Sequence, residues 1–288
     1  MRLNLVNGFD TAFSIPGVYE LLKEYFEVCH VDNFDYPGLT IINQRDREKI
    51  ILTDNIIFEN LWEIPEQKDR TLESTKWFWI NESLWYRSLG LDSYTSNKTW
   101  EYSWLMPMNL RKPWRTIFKD MISSALDRCV WSYCAEGILL PGSQGAGTIQ
   151  DQREFLPAWW DSTSALISIE SNVALGQIPF PTEKTLRGFA FSSPTIIVGS
   201  QGLLEQTKEW GFESWSELWD ESYDKIVETI PRMQVVADIV NTVNLKSYPK
   251  SVLEKLSHNK DLFWNYKKTK DHFEQIIVEP ITRLADVG

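Results

Sequence analysis

The stretch that most constrains this chain is Ala165–Ile169, an almost wholly apolar run that stops abruptly in Glu170, Ser171 and Asn172. A strand with no alternating polar face must be covered on both sides, which in an α/β protein means a parallel sheet flanked by helices. A short loop follows, and Thr182 then stands where its hydroxyl can cap a helix over Thr182–Phe191. Thr195–Val198 reads as the next strand. Strand end, loop and helix start therefore meet at the carboxyl edge of an open sheet, where ligands of such sheets bind.

The rest of the chain repeats the alternation. Leu3–Val6 is a short apolar run closed by Asn7 and Gly8, and Ile15–Phe26 places Val18, Leu21, Leu22 and Tyr25 on one helical face. Lys49–Leu52 and the aromatic Lys76–Ile80 read as further strands, the latter running straight into Asn81, Glu82 and Ser83. Asn109–Arg115 is basic and loop-like; a helix is expected over Thr116–Leu126 and a strand over Val130–Tyr133. Residues 137–157 carry Gly137, Gly142, Gly145, Gly147, Pro141 and Pro157 and read as one long irregular segment. From Leu203 onward the pattern is mainly helical, with a stripe of Phe263, Tyr266, Phe273, Ile276 and Ile277 that Pro280 should kink or end. The expectation is two α/β domains, 1–108 and 109–250, followed by C-terminal helices over 251–288.

Several kinds of chemistry are disfavoured. Acidic residues outnumber basic ones by 40 to 29, a formal charge of −11, which argues against sequence-blind nucleic-acid binding. Only three histidines occur, His30, His258 and His272, with no HExxH, so a zinc hydrolase or a Ser-His-Asp enzyme is a poor fit. Gly142–Gly147 is glycine-rich but has neither the Lys-Ser/Thr of a P-loop nor the GxGxxG spacing. No Asp-x-Asp is present to hold a divalent metal beside a diphosphate. The three cysteines form no CxxC pair and no apolar run reaches membrane-spanning length, so a cytoplasmic protein without a membrane partner, signal peptide or metal is expected.

What remains is a constellation of carboxylates and cations. A helix beginning at Thr182 presents unpaired N–H groups and a positive dipole end, and Lys184 beside it adds a mobile charge suited to a diphosphate. Glu183 can accept hydrogen bonds from ribose or sugar hydroxyls, and Glu170 and Asn172 at the strand end face the same crevice, where contact with donor sugar or ribose hydroxyls is expected of them. The plain alternative is a capped, solvated first turn with ordinary turn chemistry before it.

The order of these residues resembles the donor-binding core of the α1,3-fucosyltransferase family. Ile169-Glu170-Ser171-Asn172 followed by Thr182-Glu183-Lys184 matches its strand-end E-(S/N)-(N/S) and helix-opening T-E-K. Trp77-Phe78-Trp79 with Glu82-Ser83 is similar to the family's W-V-W…E-S segment, whose glutamate is its proposed base. Asn97–Pro107 resembles a third segment, and Arg115 stands where the family carries a phosphate-binding arginine. The matches run in order over about residues 76–200. As a whole the chain also resembles short glycosyltransferase-like proteins of tailed bacteriophages, in which a tail like Gly211–Glu213 … Trp219–Asp224 is expected; their setting is the host cytoplasm. Glu82-Ser83 is followed here by Leu84-Trp85-Tyr86 rather than proline, and Tyr102-Ser103-Trp104 lacks the family's arginine.

The resemblance implies a GT-B-like α/β fold, two Rossmann-like domains facing across a cleft with a helical C-terminus. It implies an inverting, nucleotide-sugar-dependent glycosyltransferase without a cofactor, the nucleotide-sugar being a co-substrate. Glu82 would be the base, flanked by aromatics that raise its pKa; Arg115 and Lys184 would neutralise the leaving diphosphate. The acceptor is a saccharide hydroxyl or, in the phage setting, a 5-hydroxymethylated pyrimidine of DNA. The DNA version needs a basic wall (Arg111, Lys112, Arg115 and Lys119) and aromatics, Trp85, Tyr86 and Trp104, to receive a flipped base. The competing reading is a non-catalytic sugar- or nucleotide-binding protein of the same fold.

Overall fold

The structure is a computed structural model that describes residues 1–6, 16–31, 39–43, 56–60, 71–73, 77–143, 155–171, 173, 179 and 181–286. It divides into two units, residues 1–93 with 264–288, and residues 94–263. The division falls at 93/94 rather than 108/109, and the last helices return to the first unit instead of forming a segment of their own.

In the first unit, strands β1 (Arg2–Val6), β2 (Glu27–Val31), β3 (Leu39–Asn43), β4 (Ile56–Asn60) and β5 (Thr71–Glu73) form a wholly parallel sheet in the order β2-β1-β3-β4-β5. Helix α1 (Pro16–Lys23) connects β1 to β2 and buries Val18, Leu21 and Leu22, as its periodicity predicts. The strand expected over Lys76–Ile80 is instead the start of helix α2 (Trp77–Ser88). Aromatic and β-branched content favours a strand only where a pleated surface exists to receive it. Here Trp79, Ile80, Glu82, Ser83, Leu84 and Tyr86 are all buried, so the helix is enclosed on most of its circumference. Gly17 makes that enclosure possible: a Cβ there would stand 2.8 Å from Leu84 Cβ, so the two helices meet at near-backbone distance. The strand expected over Lys49–Leu52 lies outside the described residues.

The second unit holds β6 (Tyr102–Met108), α3 (Pro113–Met121), β7 (Cys129–Tyr133), α4 (Pro157–Ser162), β8 (Thr163–Ile169), α5 (Glu183–Ala190), β9 (Thr195–Val198), α6 (Leu203–Glu209), α7 (Thr229–Thr242) and α8 (Lys250–Phe263). Its sheet is also parallel, ordered β7-β6-β8-β9. Every residue of β8 is buried, as expected of a central strand covered on both faces. Of the segment 137–157, residues 144–154 lie outside the described residues. Before them Ile138 bridges back to Tyr133, and from Pro157 the chain is already helical. Gly188 lets α5 lie against the entry to β9, since a Cβ would stand 1.7 Å from Thr195 Oγ1 and 3.0 Å from the Ser193 carbonyl oxygen.

The chain then returns to the first unit as α9 (Tyr266–Phe273), a π-helical turn (Glu274–Val278) and α10 (Glu279–Asp286). Phe273, Ile277 and Ile281 complete the core built on Leu3, Leu5, Val18, Leu22, Ile80 and Leu84. Pro280 therefore does not end the helix: the widened turn just before it accommodates the distortion the ring imposes. The α/β class, with two parallel sheets and a helical C-terminal part, is as the sequence predicts. Among the described residues no helix is long and apolar enough to cross a membrane.

Candidate functional site

In the second unit β6 is flanked by β7 on one side and β8 on the other, so the winding reverses between β6 and β8. In doubly wound sheets the loops leaving the carboxyl ends of two such strands diverge and form a crevice, the position at which ligands bind. Asn109–Lys112 leaves β6; Glu170 and Ser171 leave β8. The equivalent residues of the first unit, those following β1 and β3, lie outside the described residues.

Five of the expected site residues meet at this point. Thr182 caps α5, its hydroxyl accepting from the Lys184 N–H at 3.4 Å. Glu170, 1% exposed, is turned inward: one carboxylate oxygen accepts from the Thr182 N–H at 3.1 Å and the Thr185 hydroxyl at 2.6 Å, while the other accepts from the Thr182 hydroxyl. Where a sugar hydroxyl was expected, Glu170 is buried and three of its acceptor positions tie β8 to the start of α5. Glu183 forms an ion pair with Lys184, so the carboxylate expected to meet a ribose is held by its neighbour in this state. Lys184 Nζ also donates to Ser171 Oγ at 3.2 Å and Thr182 Oγ1 at 3.1 Å. Asn172 lies outside the described residues.

Arg115 reaches the same place from the first turn of α3, where Pro113 supplies a fixed φ and lacks only an N–H that has no helical partner. Its residue is 3% exposed and its Nη1 donates to the Leu110 carbonyl at 2.9 Å; Nε has no hydrogen-bond partner among the described residues. Burial pushes the guanidinium pKa down, and the charges of Glu170 and Glu183 oppose that shift. A guanidinium retains its proton at neutral pH under such a shift. Two neighbours were not among the expected donor residues. Lys112 Nζ donates to the Ser171 carbonyl at 3.2 Å and lies 5.0 Å from the Trp114 ring centroid, and Trp114 Nε1 donates to the Glu170 carbonyl at 3.2 Å. The basic stretch 109–115 was the only sequence signal for them. A third residue, Arg232, had no signal at all: it donates to the carbonyls of Gly199, Ile226, Val227 and Val173, fastening the segment after β8 to the end of β9.

The other expected residues fall elsewhere. Glu82 belongs to the first unit, within α2, and is 0% exposed; it is not at the mouth of a strand. Tyr86 is equally buried in that helix, and Trp85 is half-buried. Trp104 is 0% exposed in β6, with its indole N–H donating to the Val240 carbonyl at 3.3 Å. Tyr86 and Trp104 are thus core side chains, which corrects their assignment to an acceptor surface. Trp159 and Trp160 are buried anchors, Trp159 Nε1 donating to the Pro141 carbonyl at 2.8 Å. The acidic segment Asp220–Asp224 reads as a surface turn but is partly internal: Asp224 accepts from the N–H groups of Leu204 and Glu205, and Glu221 from Trp215 N–H and Ser214 Oγ. Burial raises the Asp224 pKa against the lowering effect of those N–H groups, Lys208 and Arg232. Among the described residues no group of three or more His, Cys, Asp or Glu side chains is placed to hold a metal ion.

The crevice can therefore offer an anion three cations, Lys112, Arg115 and Lys184, around the first turn of an eight-residue helix. No protein-family model matches the chain, and no curated protein matches it by sequence. Its backbone is similar to two solved structures of an α1,3-fucosyltransferase. One, with GDP-fucose, has 8% identity and a TM-score of 0.44; the other, with GDP, has 10% identity and a TM-score of 0.45. Each match covers 92% of this chain and 91% of the other.

Proposed function

We propose that the second unit binds the diphosphate of a nucleotide-sugar and that the chain is an inverting, metal-independent glycosyltransferase. The observation that carries this reading is the convergence of Lys112, Arg115 and Lys184 on the β6/β8 reversal point. Positive charge fixed there stabilises the charge that grows on a departing nucleoside diphosphate. In the reaction an acceptor oxygen forms a bond to the anomeric carbon as the bond from that carbon to the diphosphate oxygen breaks. The diphosphate leaves with the electron pair, and a base removes the acceptor proton. Glu82 is assigned as that base on the motif resemblance.

A saccharide acceptor is favoured over hydroxymethylated DNA. The chain carries a formal charge of −11, and two of the three aromatics proposed to receive a flipped base are core residues. One observation favours the non-catalytic reading: a base must reach its acceptor, and Glu82 has no exposed surface.

The test is thermal melting against UDP-, GDP-, dTDP- and CMP-sugars, followed by measurement of released diphosphate. A cognate donor at a hundred times its Kd stabilises a fold by about 2.7 kcal/mol, a rise of about 5–10 °C for a unit of this size. Transfer that Glu82→Gln abolishes, with donor affinity kept, establishes the enzyme. Donor binding without diphosphate release by the unaltered protein establishes the binder. No stabilisation by any donor refutes both.

A further inference from the structure

We infer that Lys112 is a third arm of the diphosphate site, acting with Lys184 through a shared resting partner, Ser171. This rests on the reading of the crevice as a diphosphate site and adds a residue to it. The two lysines come from different elements, Lys112 from the residue that precedes α3 and Lys184 from the first turn of α5. Yet both ammonium groups bond the same residue, one its carbonyl and the other its hydroxyl, each at 3.2 Å. Ser171 is the second residue past the end of β8, so two positive charges are focused on the mouth of the crevice.

What Ser171 offers the two ammonium groups is a neutral carbonyl and a neutral hydroxyl, each at 3.2 Å, while Lys184 also pairs with Glu183. An anionic oxygen is a stronger acceptor for an ammonium group. A diphosphate presents several such oxygens, so it can replace Ser171 as partner of both lysines at once.

The orientation of Lys112 is set by its surroundings. Its ammonium lies against the Trp114 ring, a contact that attracts cations. Trp114 is itself held by the Glu170 carbonyl, and the Glu170 carboxylate holds the start of α5. Lys112, Lys184 and the helix terminus therefore sit on one connected frame, and ligand binding does not have to order them first.

The experiment measures binding of inorganic pyrophosphate, GDP and UDP to the whole chain by calorimetry, for Lys112→Gln, Lys112→Arg and Lys250→Gln. Lys250 is an exposed residue of the same unit, so its variant makes the same change in net charge away from the crevice. Loss of one charge-assisted contact weakens binding by about tenfold or more. Lys112→Gln should show that loss for pyrophosphate and for whichever nucleotide binds, Lys112→Arg should recover most of it, and Lys250→Gln should stay within about twofold. Unchanged affinity in Lys112→Gln overturns the assignment while leaving the crevice a diphosphate site. Equal losses in Lys112→Gln and Lys250→Gln also overturn it, since the effect is then long-range charge and not contact. If the unaltered protein binds none of the three probes, the crevice reading fails and this inference with it.

Discussion

Glu170 is the residue on which sequence and structure disagree most usefully, and Glu170→Ala separates the two. If the carboxylate binds substrate, its removal weakens binding and leaves the fold intact. In the structure it holds three groups, the Thr182 N–H at 3.1 Å, the Thr182 hydroxyl and the Thr185 hydroxyl at 2.6 Å, in a site 1% exposed. The N–H cannot rotate, and left unpaired in a buried site it costs about 2–3 kcal/mol. Hydroxyls can turn: Thr185 already has Ser168 Oγ at 3.0 Å as a second partner, so each costs nearer to 1 kcal/mol. The sum is about 4–5 kcal/mol, a large part of the about 5–15 kcal/mol that stabilises a typical domain. Thermal melting should fall by about 10–15 °C. Amide hydrogen exchange should accelerate at Thr182–Leu186 before it does in β9. Glu170→Gln, which keeps one acceptor oxygen, should fall between the two proteins. An alanine variant that melts with the unaltered protein but no longer binds a nucleotide-sugar would refute the structural role and restore the original expectation.

Two further outcomes follow from close packing and from burial. Gly188→Ala places a methyl group 1.7 Å from Thr195 Oγ1 and 3.0 Å from a backbone carbonyl. It should destabilise by about 3 kcal/mol, read by urea unfolding, and Thr195→Ala should recover only the part owed to the hydroxyl. Burial raises the Asp224 pKa above its ordinary 3.8, so the folded state favours its protonated form. Its contribution to stability is then full below pH 3.8 and is lost as pH rises through the raised value. Asp224→Asn is fixed in the neutral form, so its melting temperature should gain on that of the unaltered protein between pH 3 and pH 7; a difference independent of pH, or shrinking, refutes this.

The parts of the fold that were legible are those where local chemistry and tertiary environment agree. The run Ala165–Ile169 is buried on both faces, Thr182 does cap its helix, and Thr195–Val198 is a strand with the predicted limits. Legibility ended where a side chain's partner is distant in sequence. Lys76–Ile80 has the composition of a strand, yet from Trp77 it opens the helix Trp77–Ser88, which packs on α1 and α9, one crossing eased by Gly17 and another marked by Ser83 Oγ within 3.2 Å of Thr269 Oγ1. A short aromatic run has no periodicity that distinguishes the two outcomes.

The candidate site shows the same limit from the other side. Glu170, Glu183 and Asp224 are acidic residues beside helix starts, and residue type alone does not say whether such a carboxylate faces a ligand or its own helix. Glu170 and Asp224 accept the N–H groups at the entries to α5 and α6, satisfying donors that a helix start leaves without partners. Glu183 is taken up by Lys184. Among the described residues the cations gathered at this point are Lys112, Arg115 and Lys184, the last of them already paired with Glu183. The reading this favours for the β6/β8 reversal is the anion binding proposed above. In the proposed reaction proton abstraction is assigned to a residue outside this cluster, which makes the exposure of Glu82 during turnover the point on which the enzymatic reading depends.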